Sequence, residues 1–96
     1  MKVELSPRAI ADLDSIREYL VSRSPQGAEN VRRAIADTIA ILEQFPGAGR
    51  ASTIQGVRII LVFRYDYVIY HTLSSNKVSI LHIRHGARDV PLPSEI

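Results

Sequence analysis

The chain has no cysteine and no tryptophan, and only two of its twelve basic residues, Lys2 and Lys77, are lysine. The missing cysteine excludes a disulfide framework, a thiolate metal site and a cysteine nucleophile. Long apolar runs are also missing: the longest, Ile59 to Phe63, is far below the ~20 residues of a membrane-spanning helix. The opening Met1-Lys2-Val3-Glu4-Leu5 lacks the apolar stretch of a signal peptide, so a cytoplasmic location with no membrane role is expected. At 96 residues, 46% apolar and 23% charged, the sequence is neither disordered nor low in complexity, and residues 1–96 are expected to form one domain.

The net charge of +2 is unevenly spread. Residues 1–45 carry six bases and seven acids, whereas residues 46–96 carry six bases (Arg50, Arg58, Arg64, Lys77, Arg84, Arg88) and three acids (Asp66, Asp89, Glu95). Arginine is a planar fork suited to carboxylate or phosphate and is more weakly hydrated than lysine. A basic second half thus points to an acidic partner, though its excess is too small for a dedicated DNA-binding domain.

A short strand, Val3 to Leu5, ends at Ser6-Pro7, a helix N-cap followed by proline at the first helical position. Ile10, Leu13, Ile16 and Leu20 then mark one helical face. Ser24-Pro25 repeats the device, and Val31, Ile35, Ile39, Leu42 and Phe45 mark a second helix that stops at Phe45-Pro46-Gly47. Gly47 to Gly56 reads as a loop. Three strand-like runs follow, Val57–Phe63, Tyr67–Leu73 and Val78–His85, joined by turns short enough for hairpins. Pro91 and Pro93 leave residues 90–96 as an extended tail. The order is β-α-α-β-β-β: an α+β domain with a helical hairpin on one face of a mostly antiparallel sheet.

Alternation places Val57, Ile59, Leu61 and Phe63 on one sheet face and Ile60 and Val62, flanked by Arg58 and Arg64, on the other. Two helices cover one face, which leaves Ile60 and Val62 as an apolar strip framed by arginine, the character of a protein-binding groove. The alternative is a strongly curled sheet covered by its own C-terminal tail.

The last strand runs Ile80-Leu81-His82-Ile83-Arg84 into His85-Gly86-Ala87-Arg88-Asp89. With Leu5-Ser6-Pro7-Arg8-Ala9 before Ala11-Asp12-Leu13, Phe45-Pro46-Gly47 before Gly49-Arg50, and Gly56-Val57-Arg58, this ending resembles the RelE/ParE superfamily of bacterial toxins from Val3 to Asp89. The resemblance implies the toxin of a type II toxin–antitoxin pair, held inactive in a hetero-oligomer by a small antitoxin whose C-terminal segment wraps it. RelE-like members cut mRNA on the ribosome and ParE-like members poison DNA gyrase. Where the RelE-like pattern has two lysines on the first meander strand, this chain has Arg58 and apolar residues. Val68 stands in place of an arginine. Arg88 matches, and no tyrosine follows Tyr70 to supply the late tyrosine. The ParE-like branch, inhibiting gyrase without making or breaking a bond itself, is therefore the expectation. A ribosome-dependent endoribonuclease and a non-toxic interaction partner that keeps the fold are the alternatives.

The candidate antitoxin- or target-binding residues are Arg58, Ile60, Val62, Arg64, Arg84 and Arg88. A nuclease would draw instead on Arg58, Arg64, His85 and Arg88, with His85 as general base and the arginines steadying phosphate. His85 anchoring a strand end and an Arg88–Asp89 ion pair are the structural counterparts of those roles. Alternation sets His82 beside Ile80 and Arg84, and His85 on the opposite face beside Leu81 and Ile83. Such a split does not converge on a metal, and neither metal nor cofactor is expected.

Overall fold

Two serine–proline pairs start the two helices. In a computed structural model describing residues 1–86, the Ser6 hydroxyl accepts the Ala9 N–H at 3.1 Å and opens helix α1, Pro7–Val21. Ser24 does the same for Gly27 at 3.0 Å and opens α2, Pro25–Gln44. Each such cap is worth about 1 kcal/mol. The strands are β1 (Lys2–Leu5), β2 (Arg50–Ala51), β3 (Arg58–Leu61), β4 (Tyr67–Leu73) and β5 (Lys77–His85), in the sheet order β1-β5-β4-β3-β2. The last three form the expected antiparallel meander, and β1 runs parallel to β5. Glu4 ties these two strands together on the surface, with Lys77 at 3.0 Å and Lys2 at 3.1 Å.

Cross-strand rows explain the core. Ile60, Ile69 and Ile83 line up across β3, β4 and β5, and all three are buried under the helices beside Val31, Ile35 and Leu42. β5 carries one more residue than β4 beside Tyr70/His71, so the strict alternation read from the sequence breaks. Ile80 and Ile83 both reach the core, and His82 with Arg84 fall on the other face.

Two expectations are corrected. The loop expected over residues 47–56 contains β2, whose two residues pair with Arg58 and Ile59. More important, the faces of β3 and the residues after it are reversed. Ile60 (9% exposed) and Val62 (0%) face the helices, while Leu61 (64%) and Phe63 (76%) face solvent. Alternation states which residues share a face but not which face the helices take, and both sets here are apolar. The terminal arginines gave a misleading sign. Arg58 reaches the rim, where its guanidinium donates to the Gly49 carbonyl at 2.8 Å, and Arg64 lies in the turn. Ile60 and Val62 are thus unavailable to a partner.

Candidate functional site

The sheet face turned away from the helices is built from two rows. Arg50, Ile59, Tyr70 and His82 stand in register across β2, β3, β4 and β5, and Leu61, Val68 and Arg84 form the next row. The segment after β2 folds over this face, held by Ser52 N–H to the Val57 carbonyl at 3.1 Å and by the Thr72 hydroxyl donating to the Gly56 carbonyl at 3.0 Å. Between this segment and the sheet lies a cavity of about 310 Å³ lined by Arg50, Ile59, Val68, Tyr70 and Gly86 among others. Its floor is apolar and aromatic, with Arg50 at one side and Arg84 one row beyond, a surface suited to an acidic, partly apolar segment.

β2 can lie against β3 because position 49 is glycine. Gly49 has φ +92°, and a Cβ there would sit 2.2 Å from the Ile59 carbonyl oxygen. A side chain is therefore excluded on both conformational and steric grounds.

The candidate residues do not converge. Arg84 lies on the open face. Arg58 shares the helix side with Ile60, where it lines up opposite His71. Arg64 caps the β3–β4 turn, and Arg88 lies outside the described residues. His85 lies on the helix side, edge-on to Tyr67 with ring centroids 5.5 Å apart, and its Nδ1 is buried without a hydrogen bond. This placement separates it from Arg84 across the thickness of the sheet. The sequence also points to Val68 and Tyr70 on the face the helices leave uncovered, where both lie; the residues it does not single out for a site are Arg50, Ile59 and Leu61. For Ile59 and Leu61 the signal was the odd-numbered set of the first meander strand, assigned there to the core.

None of the buried histidines is placed to exchange a proton with a ligand. His71 is fully buried, and burial first, then the neighbouring Arg58 charge, push its pKa below the ordinary imidazole value, so it stays neutral. His82 is 2% exposed, with Nδ1 on the Asp12 carboxylate and Nε2 buried without a partner. Among the described residues no three histidine or carboxylate side chains come together to hold a metal ion, and no helix is long and apolar enough to cross a membrane.

A second surface lies on the helical hairpin, where Leu13, Ile16, Leu20, Val31 and Ile35 line an apolar groove between α1 and α2. Asp14, Arg17, Glu29 and Arg32 fringe it. Most of these apolar residues also serve the core, so the groove is the seam of the hairpin left partly open to solvent.

The chain is similar to known proteins over most of its length. The profile of the ParE toxin of the type II toxin–antitoxin system parDE matches residues 3–90. Toxin RelE2 of Caulobacter vibrioides is 33% identical over 81 residues, which is 84% of this chain and 90% of that protein. Putative toxin Y4kP of Sinorhizobium fredii is 27% identical over 90 residues, 94% and 93% of the respective chains. A solved chain from the chromosomal ParDE TA system of P. aeruginosa superposes with a TM-score of 0.80 at 28% identity, covering 88% of this chain and 95% of that one.

Proposed function

The chain belongs to the ParE toxin family of type II toxin–antitoxin systems, and on that premise we propose that it arrests growth by binding DNA gyrase and trapping it with cleaved DNA. A cognate antitoxin neutralises it. The observation that carries this reading is the character of the open sheet face. It offers Arg50 and Leu61 exposed, with Ile59, Val68 and Arg84 half-buried and no lysine, while Tyr70, His71 and His82 are buried and His85 lies on the opposite side. Such a face is equipped to bind; it has no side chain poised to take a proton from a ribose hydroxyl. The antitoxin, a protein segment, is suited to the apolar groove of the helical hairpin and its charged fringe.

The test compares two purified targets. The full chain is expected to inhibit supercoiling by gyrase and to accumulate cleaved DNA, and to leave mRNA on programmed ribosomes intact. Ribosome-dependent mRNA cleavage with gyrase unaffected would overturn the reading in favour of the endoribonuclease. Growth unaffected by expression without antitoxin would favour a non-toxic binding partner.

A further inference from the structure

The turn between β3 and β4 holds a non-glycine residue in a backbone conformation that favours glycine. Arg64 has φ 76°, and Tyr65 N–H closes the turn onto the Val62 carbonyl at 3.2 Å. The two tip residues face water: Phe63 is 76% exposed, with the Arg64 guanidinium 5.6 Å from its ring centre. The tip stands at one side of an open groove of about 740 Å³ whose other side is α2, where Arg33, Asp37 and the 46%-exposed Ile41 lie. Strained residues kept at an exposed tip are a mark of function rather than of stability.

The charges decide what fits. Arg33 already has Glu29 at 3.7 Å. Asp37 and Arg64 have no ion partner among the described residues, although they line the same groove. A uniformly acidic segment would face Asp37, and a uniformly basic one would face Arg64. A surface with one unpaired charge of each sign beside exposed Phe63 and Ile41 is complementary to itself.

We propose that this groove is a self-association surface, in which a second copy of the chain docks about a two-fold axis. Arg64 of each copy pairs with Asp37 of the other, and Phe63 of each covers the other's Ile41. A net charge of +2 per chain leaves little long-range repulsion to oppose the pairing. The inference does not depend on whether the toxin acts on gyrase or on the ribosome.

Sedimentation equilibrium on the full chain tests it. The apparent mass is expected to rise with concentration from one chain towards two. Phe63→Glu should weaken association by about tenfold or more, the scale of losing an interface anchor. Asp37→Arg and Arg64→Asp, each setting like charges opposite one another, should each weaken it, and the double variant should restore it because the pairs re-form with signs exchanged. Aspartate tolerates the left-handed conformation, so the turn survives Arg64→Asp. A single-chain mass at every concentration overturns the proposal, as does association indifferent to these variants or a double variant that fails to recover. If the free chain is monomeric and Phe63→Glu instead lowers affinity for the co-expressed antitoxin, the groove belongs to the antitoxin and the proposal falls.

Discussion

Asp12 on α1 accepts the backbone N–H of Ile83 on β5 at 2.9 Å, a side chain doing for a strand edge what a neighbouring strand would do. β1 stops at Leu5, opposite Ile80. From there Ser6 takes over: its N–H donates to the Ile80 carbonyl at 2.9 Å and its hydroxyl to the Leu81 carbonyl at 3.0 Å, before Asp12 meets Ile83 and His82. Asp12 also holds Arg8 at 3.2 Å.

Asp12→Ala should therefore leave a buried imidazole nitrogen and an edge amide without partners, and destabilise the fold by about 2–3 kcal/mol. Asp12→Asn, which keeps one acceptor oxygen, should cost less. Urea denaturation of the two variants beside the parent chain checks the order, and equal costs would mean that the charged carboxylate, rather than one acceptor oxygen, is what these contacts require.

His71 gives the stability a pH dependence of known sign. Its folded-state pKa is depressed by burial and by Arg58, so between that value and the unfolded value near 6.5 the unfolded chain binds a proton the folded chain does not. Stability from this group is complete above about pH 6.5 and declines as pH falls through the sixes, by at most about 1.4 kcal/mol per pH unit for one proton. His71→Leu should flatten that part of the profile, measured as the difference between the two unfolding curves from pH 8 to 5.

At the β3–β4 turn, Arg64→Gly should raise the melting temperature slightly. Relief of the left-handed conformation, about 1–2 kcal/mol, outweighs the extra freedom glycine gives the unfolded chain, about 0.5–1 kcal/mol. Arg64→Val should lower it, because a β-branched residue is least at home there. A stabilised Arg64→Gly chain with weaker self-association would separate the cost of the residue from its use.

Gly49→Ala makes the opposite case. With φ +92° and the Ile59 carbonyl oxygen 2.2 Å from any Cβ, the substitution should cost about 2 kcal/mol or more. It should also open the Arg50–Ile59 end of the sheet, seen as faster amide exchange at β2 and β3 with β5 unchanged.

Local chemistry made most of the fold legible in the sequence. Ser6-Pro7 and Ser24-Pro25 each combine a favoured N-cap with a proline that loses no helical bond, and runs such as Tyr67–Leu73 have few other uses. The site was less legible. Choosing between Ile60 and Leu61 as the buried partner depends on where the helices settle, which is a property of the whole assembly rather than of the strand. The extra residue in β5 likewise moved His82 and Ile80 onto different faces, and a side-chain period of two carries no warning of it. Arg50 escaped notice because a two-residue strand has no periodicity to read.

The parallel pairing of β1 with β5 also sets the order of events during synthesis. Residues 2–5 emerge from the ribosome first and must wait for residues 77–80, while β5 carries β1 on one flank and β4 on the other. Until β5 is made, β1 has no strand to pair with and β4 has only β3, so the sheet stays in two parts. A chain that ends before β5 therefore loses the strand that joins β1 to the meander, and with it Arg84 and His82 from the rows of the open face.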